Sequence, residues 1–379
     1  MKVAIVTESF LPQVNGVTNS VLRVIEHLNS LGHQAMVIAP ESEGGITEYQ
    51  GVRIKRVPAI PLNSIVKIGL PVAVPSRKLE YLLDGFAPDV VHLASPFALG
   101  AYAAKVARKL HIPTLSIYQT DIAGFARHYR LNVAHGTLQK IVGKIHSHTD
   151  RTLAPSSSAC ADLKGSGVTN VHLWRRGVNS ELFHPKRRDE SLRAEWGSGD
   201  RLIVGFVGRL ANEKRISDLK VLDQDPRLQL VIVGEGPAGE KLRKELPRAL
   251  FTGFKGGEEL AAAYASFDLF IHPGPNETFC QAVQEALASG TPCIVPTTGG
   301  PADLVTRGAT GYVINTSNPV ELLATVNHFL GRTDRDEMKV MARNSVVERS
   351  WQKVNEQLVS HYEALITQQR FAVESERVA

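Results

Sequence analysis

Two tandem α/β units of the doubly wound type are what this sequence predicts, and two observations carry the prediction. Short, continuous apolar runs alternate with stretches of helix length, and the alternation halts and restarts once, near residue 200. Uninterrupted apolar strands separated by helices indicate parallel sheets covered on both faces. A chain of 379 residues is long enough for two such domains.

The first half opens with Val3-Ala4-Ile5-Val6, a buried strand. A loop over 10–16 leads to a helix over 18–31, in which Val21, Leu22, Ile25 and Leu28 share a face and Gly32 is the stop. Further strands are predicted at 35–39, 52–57, 89–93, 114–118, 151–156 and 171–174. In the second half they fall at 202–207, 228–233, 250–253, 269–272, 293–296 and 311–314. Between the halves, 183–200 is charged and holds Pro185 and Gly197-Ser198-Gly199, so it reads as a linker. The expected domains are 1–182 and 183–350. They share an architecture, not a sequence.

Composition excludes several classes. Three cysteines without a CxxC pair give neither a disulfide framework nor a zinc knuckle, which agrees with a reducing compartment. The first apolar run ends at Thr7-Glu8-Ser9, too short for a signal peptide, and no run approaches the ~20 apolar residues of a spanning helix. A soluble or peripheral protein is expected. Residues 1–182 hold 19 Lys/Arg against 12 Asp/Glu, whereas 183–379 hold 24 against 26. This asymmetry fits either a solvated basic surface or contact with an anionic partner. The excess is modest and lacks a nucleic-acid-binding motif, so no nucleic-acid partner is expected.

In open α/β sheets, ligands bind beyond the carboxyl ends of the strands. Gly16 ends the first loop just before a helix, where a backbone amide can approach a phosphate; a turn glycine beside a Thr18 cap is the other reading. The loop is not GxGxxG, which counts against a dinucleotide enzyme. Arg209 and Lys214 follow the first strand of the second half. An arginine fork and a lysine point charge suit a diphosphate; solvated charges, salt-bridged to Glu213, are the alternative. The richest segment is 272–290, a strand end, a turn and a helix predicted from Thr278 to Gly290. Glu277 would open that helix, with Glu285 on the same side about 12 Å along its axis. That is too wide for a carboxylate couple acting on one bond. The pair reads as binders of two hydroxyl-bearing groups, or as one capping and one exposed glutamate. Amides of Thr278, Phe279 and Cys280 would face a phosphate or a sugar hydroxyl.

Glu277, seven residues and Glu285, followed by Ala288-Ser289-Gly290-Thr291-Pro292 and Gly299-Gly300, resemble the signature of family-four retaining glycosyltransferases. Arg209, Lys214, the Asn15-Gly16-Val17 loop and Gly234-Glu235-Gly236-Pro237 match as well, so the resemblance spans nearly the whole chain in order. It implies the GT-B fold, two Rossmann-like domains facing a cleft, with a closing helix from about residue 351 packed back on the first domain. Segments 14–20, 118–125 and 276–290 are similar to bacterial GDP-mannose-dependent α-mannosyltransferases of cell-envelope glycolipids and lipoglycans. That implies GDP-mannose as donor and a lipid acceptor such as glucuronosyl diacylglycerol.

The resemblance also implies roles. Arg209 and Lys214 would hold the departing diphosphate, and Gly16 would offer its amide to the β-phosphate. Glu285 would bind the ribose hydroxyls. Glu277 would bind the donor sugar with the amides of Thr278, Phe279 and Cys280, and backbone near Phe254 and Lys255 would face the base. No metal cofactor is implied, because cations and amides offset the phosphate charge, and the sequence shows no obvious cluster of metal ligands. One departure stands out: where many members have a histidine after the fifth strand, this chain reads Tyr118-Gln119-Thr120-Asp121. Gln119 cannot act as a base; Asp121 either contacts sugar or acceptor, or caps a helix.

Residues 105–151 carry Lys105, Arg108, Lys109, Arg127, Arg130, Lys140, Lys144 and Arg151 against two aspartates. Leu138, Ile141, Val142 and Ile145 interleave with Lys140 and Lys144. This resembles an interfacial helix meeting anionic lipid; an ordinary domain-surface helix is the other reading. A lipid acceptor favours the first and a cytoplasmic, membrane-peripheral location. A UDP-sugar donor on the same fold, or a non-catalytic nucleotide- or glycan-binding protein, are the competing readings.

Overall fold

The structure is a computed structural model that describes residues 1–61, 71–119, 135–197, 199 and 201–378. It divides into two units. The first is built from the chain up to Arg175 together with Gln352–Ala379, and the second is Arg176–Trp351.

The first unit contains β1 (Lys2–Thr7), β2 (Gln34–Pro40), β3 (Glu48–Tyr49), β4 (Val52–Val57), β5 (Ala59–Pro61), β6 (Pro71–Ala73), β7 (Val90–Ala94), β8 (Thr114–Ile117), β9 (Arg151–Ala154) and β10 (Val171–Leu173). Among the described residues, eight of these form one sheet in the order β10-β9-β8-β7-β1-β2-β4-β3, and β5 pairs with β6 alone. All neighbours in the large sheet are parallel except β3 with β4. Strand order reverses at β1, the switch point at which such sheets place ligands. The short strands β3, β5 and β6 lie outside the sequence prediction, because two or three residues carry no readable period.

The first helix runs Gly16–Ser30, two residues earlier than predicted at its start. Asn15 is its cap: Oδ1 accepts from the Val17 and Thr18 amides, each at 3.0 Å. Thr18 is buried instead, and its hydroxyl donates to the Gln13 carbonyl. Val21, Val24, Ile25 and Leu28 of this helix cover one face of the sheet, while Leu99, Ala103 and Ala107 cover the other.

The closing helix, Trp351–Val378, supplies Val354, Leu358, Tyr362 and Leu365 to the core of the first unit. Burying each such side chain contributes roughly 1.5–3 kcal/mol. Two polar contacts set its register: Trp174 Nε1 donates to the Val354 carbonyl at 2.8 Å, and the Tyr362 hydroxyl meets His92 Nδ1 at 2.6 Å. Burial pushes the His92 pKa down to about 3, so this strand histidine is neutral.

The second unit holds β11 (Leu202–Val207), β12 (Leu228–Val233), β13 (Leu250–Gly253), β14 (Leu269–Ile271), β15 (Cys293–Pro296) and β16 (Gly311–Ile314). They form a parallel sheet ordered β13-β12-β11-β14-β15-β16. The stretch expected to be a linker is instead part of this unit. Phe183 and Trp196 are buried in its core. Buried Arg193 donates to the Ser266 carbonyl and pairs with Asp268 at 3.1 Å. The expected boundary after residue 182 likewise moves to Arg175/Arg176. Gln284 donates to the Arg176 carbonyl, Gln281 to that of Gly177, and the Val178 amide to Arg349, which ties 176–178 to the second unit.

Tyr362→Phe is expected to lower stability by roughly 1–3 kcal/mol, because it leaves the His92 nitrogen buried and unpaired. Thermal denaturation checks this, and adding His92→Phe should recover part of the loss.

Candidate functional site

The site is built where β11 and β14 of the second unit end. After β11 the chain turns through Gly208 and Arg209 and makes one short helical turn, Asn212–Lys214. After β14 it continues through His272, Pro273 and Gly274 to Glu277. Gly274 is what lets these loops meet: a Cβ there would lie 3.1 Å from both the Glu213 carbonyl oxygen and Lys214 Cα. Gly300 clamps the far side of the second loop. Its amide donates to the Glu277 carbonyl at 2.7 Å, and a Cβ would fall 2.3 Å from the Thr278 oxygen.

That packing presses Lys214 Nζ onto Glu277 Oε1 as an ion pair, both side chains being less than a quarter exposed. His272 Nε2 lies 3.5 Å from the same carboxylate oxygen. Burial raises the cost of each of these charges, yet the partners outweigh it. Lys214 and His272 hold the Glu277 carboxyl well below the usual carboxylate range. Glu277 in turn raises the Lys214 ammonium. His272, 2% exposed, is pushed up to about 9 by Cys280 and Glu277, which it faces. Arg209 is half exposed and pairs with Glu213. So each cation predicted to meet a diphosphate already has a carboxylate partner.

The helix after Glu277 departs from the expectation. It spans Gln281–Ala288 and begins three residues later than predicted, because Cys280 has φ +84° and ψ 84°, which no helix accommodates. Glu277 and Glu285 are therefore not two positions on one helix, and the 12 Å spacing along an axis does not describe them. Thr278 and Phe279 precede the helix, and the Phe279 ring is buried in the core. Glu285 lies on the helix, partly buried, and accepts from the Tyr264 hydroxyl at 3.1 Å. Burial raises its carboxyl to about 7, against hydrogen bonds from Tyr264 and Gln281 and the charge of Arg176.

Three of these groups were not singled out by the sequence reading. Tyr264 and Arg176 carried no signal there, because each acts across the fold from a helix or an irregular segment. His272 was legible only as a strand end. The structure also brings His272, Glu277 and Cys280 together, with one ligand-capable atom from each within 4.8 Å of the others. The sequence hid this group behind a spacing of five and then three residues that fits no metal motif.

The remaining predicted residues are distributed as follows. Lys255 is partly buried beside Phe254, which is 76% exposed after β13. Gly16 opens the first helix of the first unit, exposed. Gln119 follows β8, partly buried, and Asp121 lies outside the described residues. In the helix His135–Ser147, Val142 and His146 are buried, the latter 2.9 Å from the Ser116 hydroxyl. Val142 is therefore unavailable to lipid, contrary to the interfacial-helix expectation. Lys140, Ile141 and Lys144 form the exposed face. No helix among the described residues is long and apolar enough to cross a membrane.

Comparison with known proteins gives this geometry a family. Residues 14–182 match the model of Glycosyltransferase Family 4, and residues 188–345 that of Glycosyl transferases group 1. A GDP-mannose-dependent alpha-mannosyltransferase of Mycolicibacterium smegmatis is 48% identical over 97% of this chain and 98% of its own length. The chain is a family-four glycosyltransferase. The enzyme of the same name from Corynebacterium glutamicum is 47% identical to this glycosyltransferase, over 97% of it and 89% of the relative. The crystal structure of Anabaena HepE in complex with UDP matches the glycosyltransferase's fold with a TM-score of 0.79, at 17% identity, covering 96% of this chain and all of that one. The two parallel units are thus the Rossmann-like domains of a GT-B glycosyltransferase.

Two outcomes are expected. Glycine relieves the positive φ at residue 280, so Cys280→Gly should be more stable than Cys280→Ala by about 1–2 kcal/mol in denaturant melts. The raised Glu285 carboxyl favours folding while protonated, a contribution present below pH 4.5 and lost as pH rises through 7. Glu285→Gln should therefore raise Tm relative to wild type more at pH 8 than at pH 5.

Proposed function

We propose that this glycosyltransferase moves mannose from GDP-mannose to a glycolipid acceptor, such as glucuronosyl diacylglycerol, with retention of configuration. The observation that carries the reading is the half-buried Lys214–Glu277 pair after the ends of β11 and β14. The names and full-length match of the mycobacterial and corynebacterial relatives support the donor.

In this reading the donor diphosphate draws Lys214 and Arg209 from their carboxylates, and Glu277 turns to the mannose hydroxyls. Glu285 accepts from the ribose, and Phe254 with Lys255 lies against the base. Gly16 offers its amide to the β-phosphate, and Thr278, Phe279 and Cys280 offer theirs to the sugar. The bond from mannose C1 to the β-phosphate oxygen breaks as the acceptor oxygen attacks C1 from the same face. The departing phosphate takes the acceptor hydroxyl proton. Two cations stabilise that leaving group, so in this reading transfer needs no metal cofactor. Gln119 cannot serve as base, which fits proton transfer to the phosphate; Asp121 is assigned to sugar or acceptor contact.

For the acceptor side, the exposed Lys140, Ile141 and Lys144, with Lys105, Arg108 and Lys109 of the helix Ala98–Lys109, offer a basic surface to anionic lipid on the cytoplasmic membrane face.

Incubating the purified chain with GDP-mannose and a membrane lipid extract, followed by mass spectrometry, should yield a lipid one hexose heavier. Incorporation from a UDP-sugar alone would overturn the donor, and no lipid product from any donor would overturn the acceptor class. Lys214→Ala and Glu277→Ala should each cut turnover at least 100-fold in folded protein; near-normal turnover in both would overturn the site.

A further inference from the structure

We propose that His272, Glu277 and Cys280 form a binding site for a thiophilic divalent cation of the Zn²⁺ class, and that occupancy of this site inhibits sugar transfer. The inhibitory half of this inference rests on the function proposed above; the binding half does not.

The site lies within one unit and on three adjacent points of one loop. A ring nitrogen, a carboxylate oxygen and a thiol sulfur lie within 4.8 Å of one another. Tetrahedral zinc holds such atoms at about 2.0–2.3 Å, hence roughly 3.3–3.8 Å apart. Side-chain rotation of about 1 Å closes that difference. The ligand set is the borderline-soft one that selects zinc over magnesium or calcium, which require oxygen donors.

An independent observation also points to a ligand. His272 is 2% exposed, yet neither ring nitrogen meets a donor or acceptor in hydrogen-bond geometry. The ring lies nearly parallel to that of Phe206, with centroids 6.1 Å apart, and it faces Cys280 and Glu277. Glu277 Oε1 lies 3.5 Å from Nε2 without making a hydrogen bond to it, and a buried imidazole so placed calls for an explanation. Cys280 adds to it. Its side chain is held in the loop by a backbone conformation that a non-glycine residue rarely adopts, and it points at a histidine rather than into the apolar core alone.

Inhibition follows from shared use of one carboxylate. Glu277 Oε1 is the oxygen on which Lys214 rests and the one nearest His272. A dication held by His272, Cys280 and Glu277 takes that oxygen from the sugar and puts two positive charges beside Lys214. Three protein ligands leave a fourth position open, where a diphosphate oxygen of the spent nucleotide can coordinate and be retained.

Cobalt substitution tests the binding half without any transfer assay. Titrating the full chain with Co²⁺ should give one tetrahedral site per chain with a sulfur-to-cobalt charge-transfer band, bleached by Zn²⁺. Cys280→Ser should abolish the band and Cys160→Ser should leave it. Absence of the band in wild type, or its survival in Cys280→Ser, overturns the proposal. Wild-type protein alone gives a second readout should Cys280→Ser fail to fold. Zn²⁺ should slow alkylation of Cys280 by at least 10-fold, read by mass spectrometry, with the rate at Cys160 unchanged; equal slowing at both, or none at Cys280, overturns it. In the transfer assay, micromolar Zn²⁺ should inhibit at least 10-fold where Mg²⁺ does not. Cobalt binding without inhibition would overturn the inhibitory half alone. If no donor supports transfer while the band is present, the proposed function fails and the metal site stands.

Discussion

A parallel sheet must be covered on both faces, and in this protein that requirement positions everything else. In the second unit's sheet every pairing is parallel, so its strands run the same way and their strand-to-helix loops emerge at one edge. In the second unit the strands β11 and β14 are neighbours, and the loops that leave them are therefore neighbours too. Gly274 supplies the last ångström of approach. The pairing of Lys214 with Glu277, residues far apart in sequence, is a consequence of sheet order rather than of local structure.

At that edge Lys214 and His272 converge on one carboxylate, that of Glu277. A buried ion pair adds little net stability, because desolvation offsets most of the attraction. Lys214, Glu277 and His272 instead hold one another in their charged forms. Glu285 is different. Its carboxyl is lifted toward neutrality by burial while Glu277 is driven the other way, although both lie in one segment. Two carboxyls with opposed shifts have separate duties, one pairing with cations and one sharing hydrogen bonds with Tyr264.

Most of the architecture was legible in the sequence because continuous apolar strands are local signals. The strands of the second unit coincide with their predicted ranges to within a residue. What was not legible depended on contacts between distant segments. Phe183 and Trp196 looked like parts of a charged linker, since nothing local shows that a core awaits them. The late start of the helix at Gln281 depends on one backbone angle at Cys280, and a cysteine gives no hint of a positive φ. Arg209, Lys214, Glu277 and Glu285 were found through their motif. Glu213 was legible as a salt-bridge partner from its place in the same turn, whereas His272 and Tyr264 were not, because hydrogen-bond partners need only be near in space.

The first unit is interrupted in sequence, and the closing helix completes it after the second unit has been made. The ribosome therefore delivers the second unit as one contiguous block able to collapse as it emerges. The first unit waits with the groove for Val354, Leu358, Tyr362 and Leu365 uncovered until that helix has been made. During that interval its apolar face is a target for chaperones and for aggregation. The helix thus makes completion of the first unit's core depend on chain that is synthesised after the second unit.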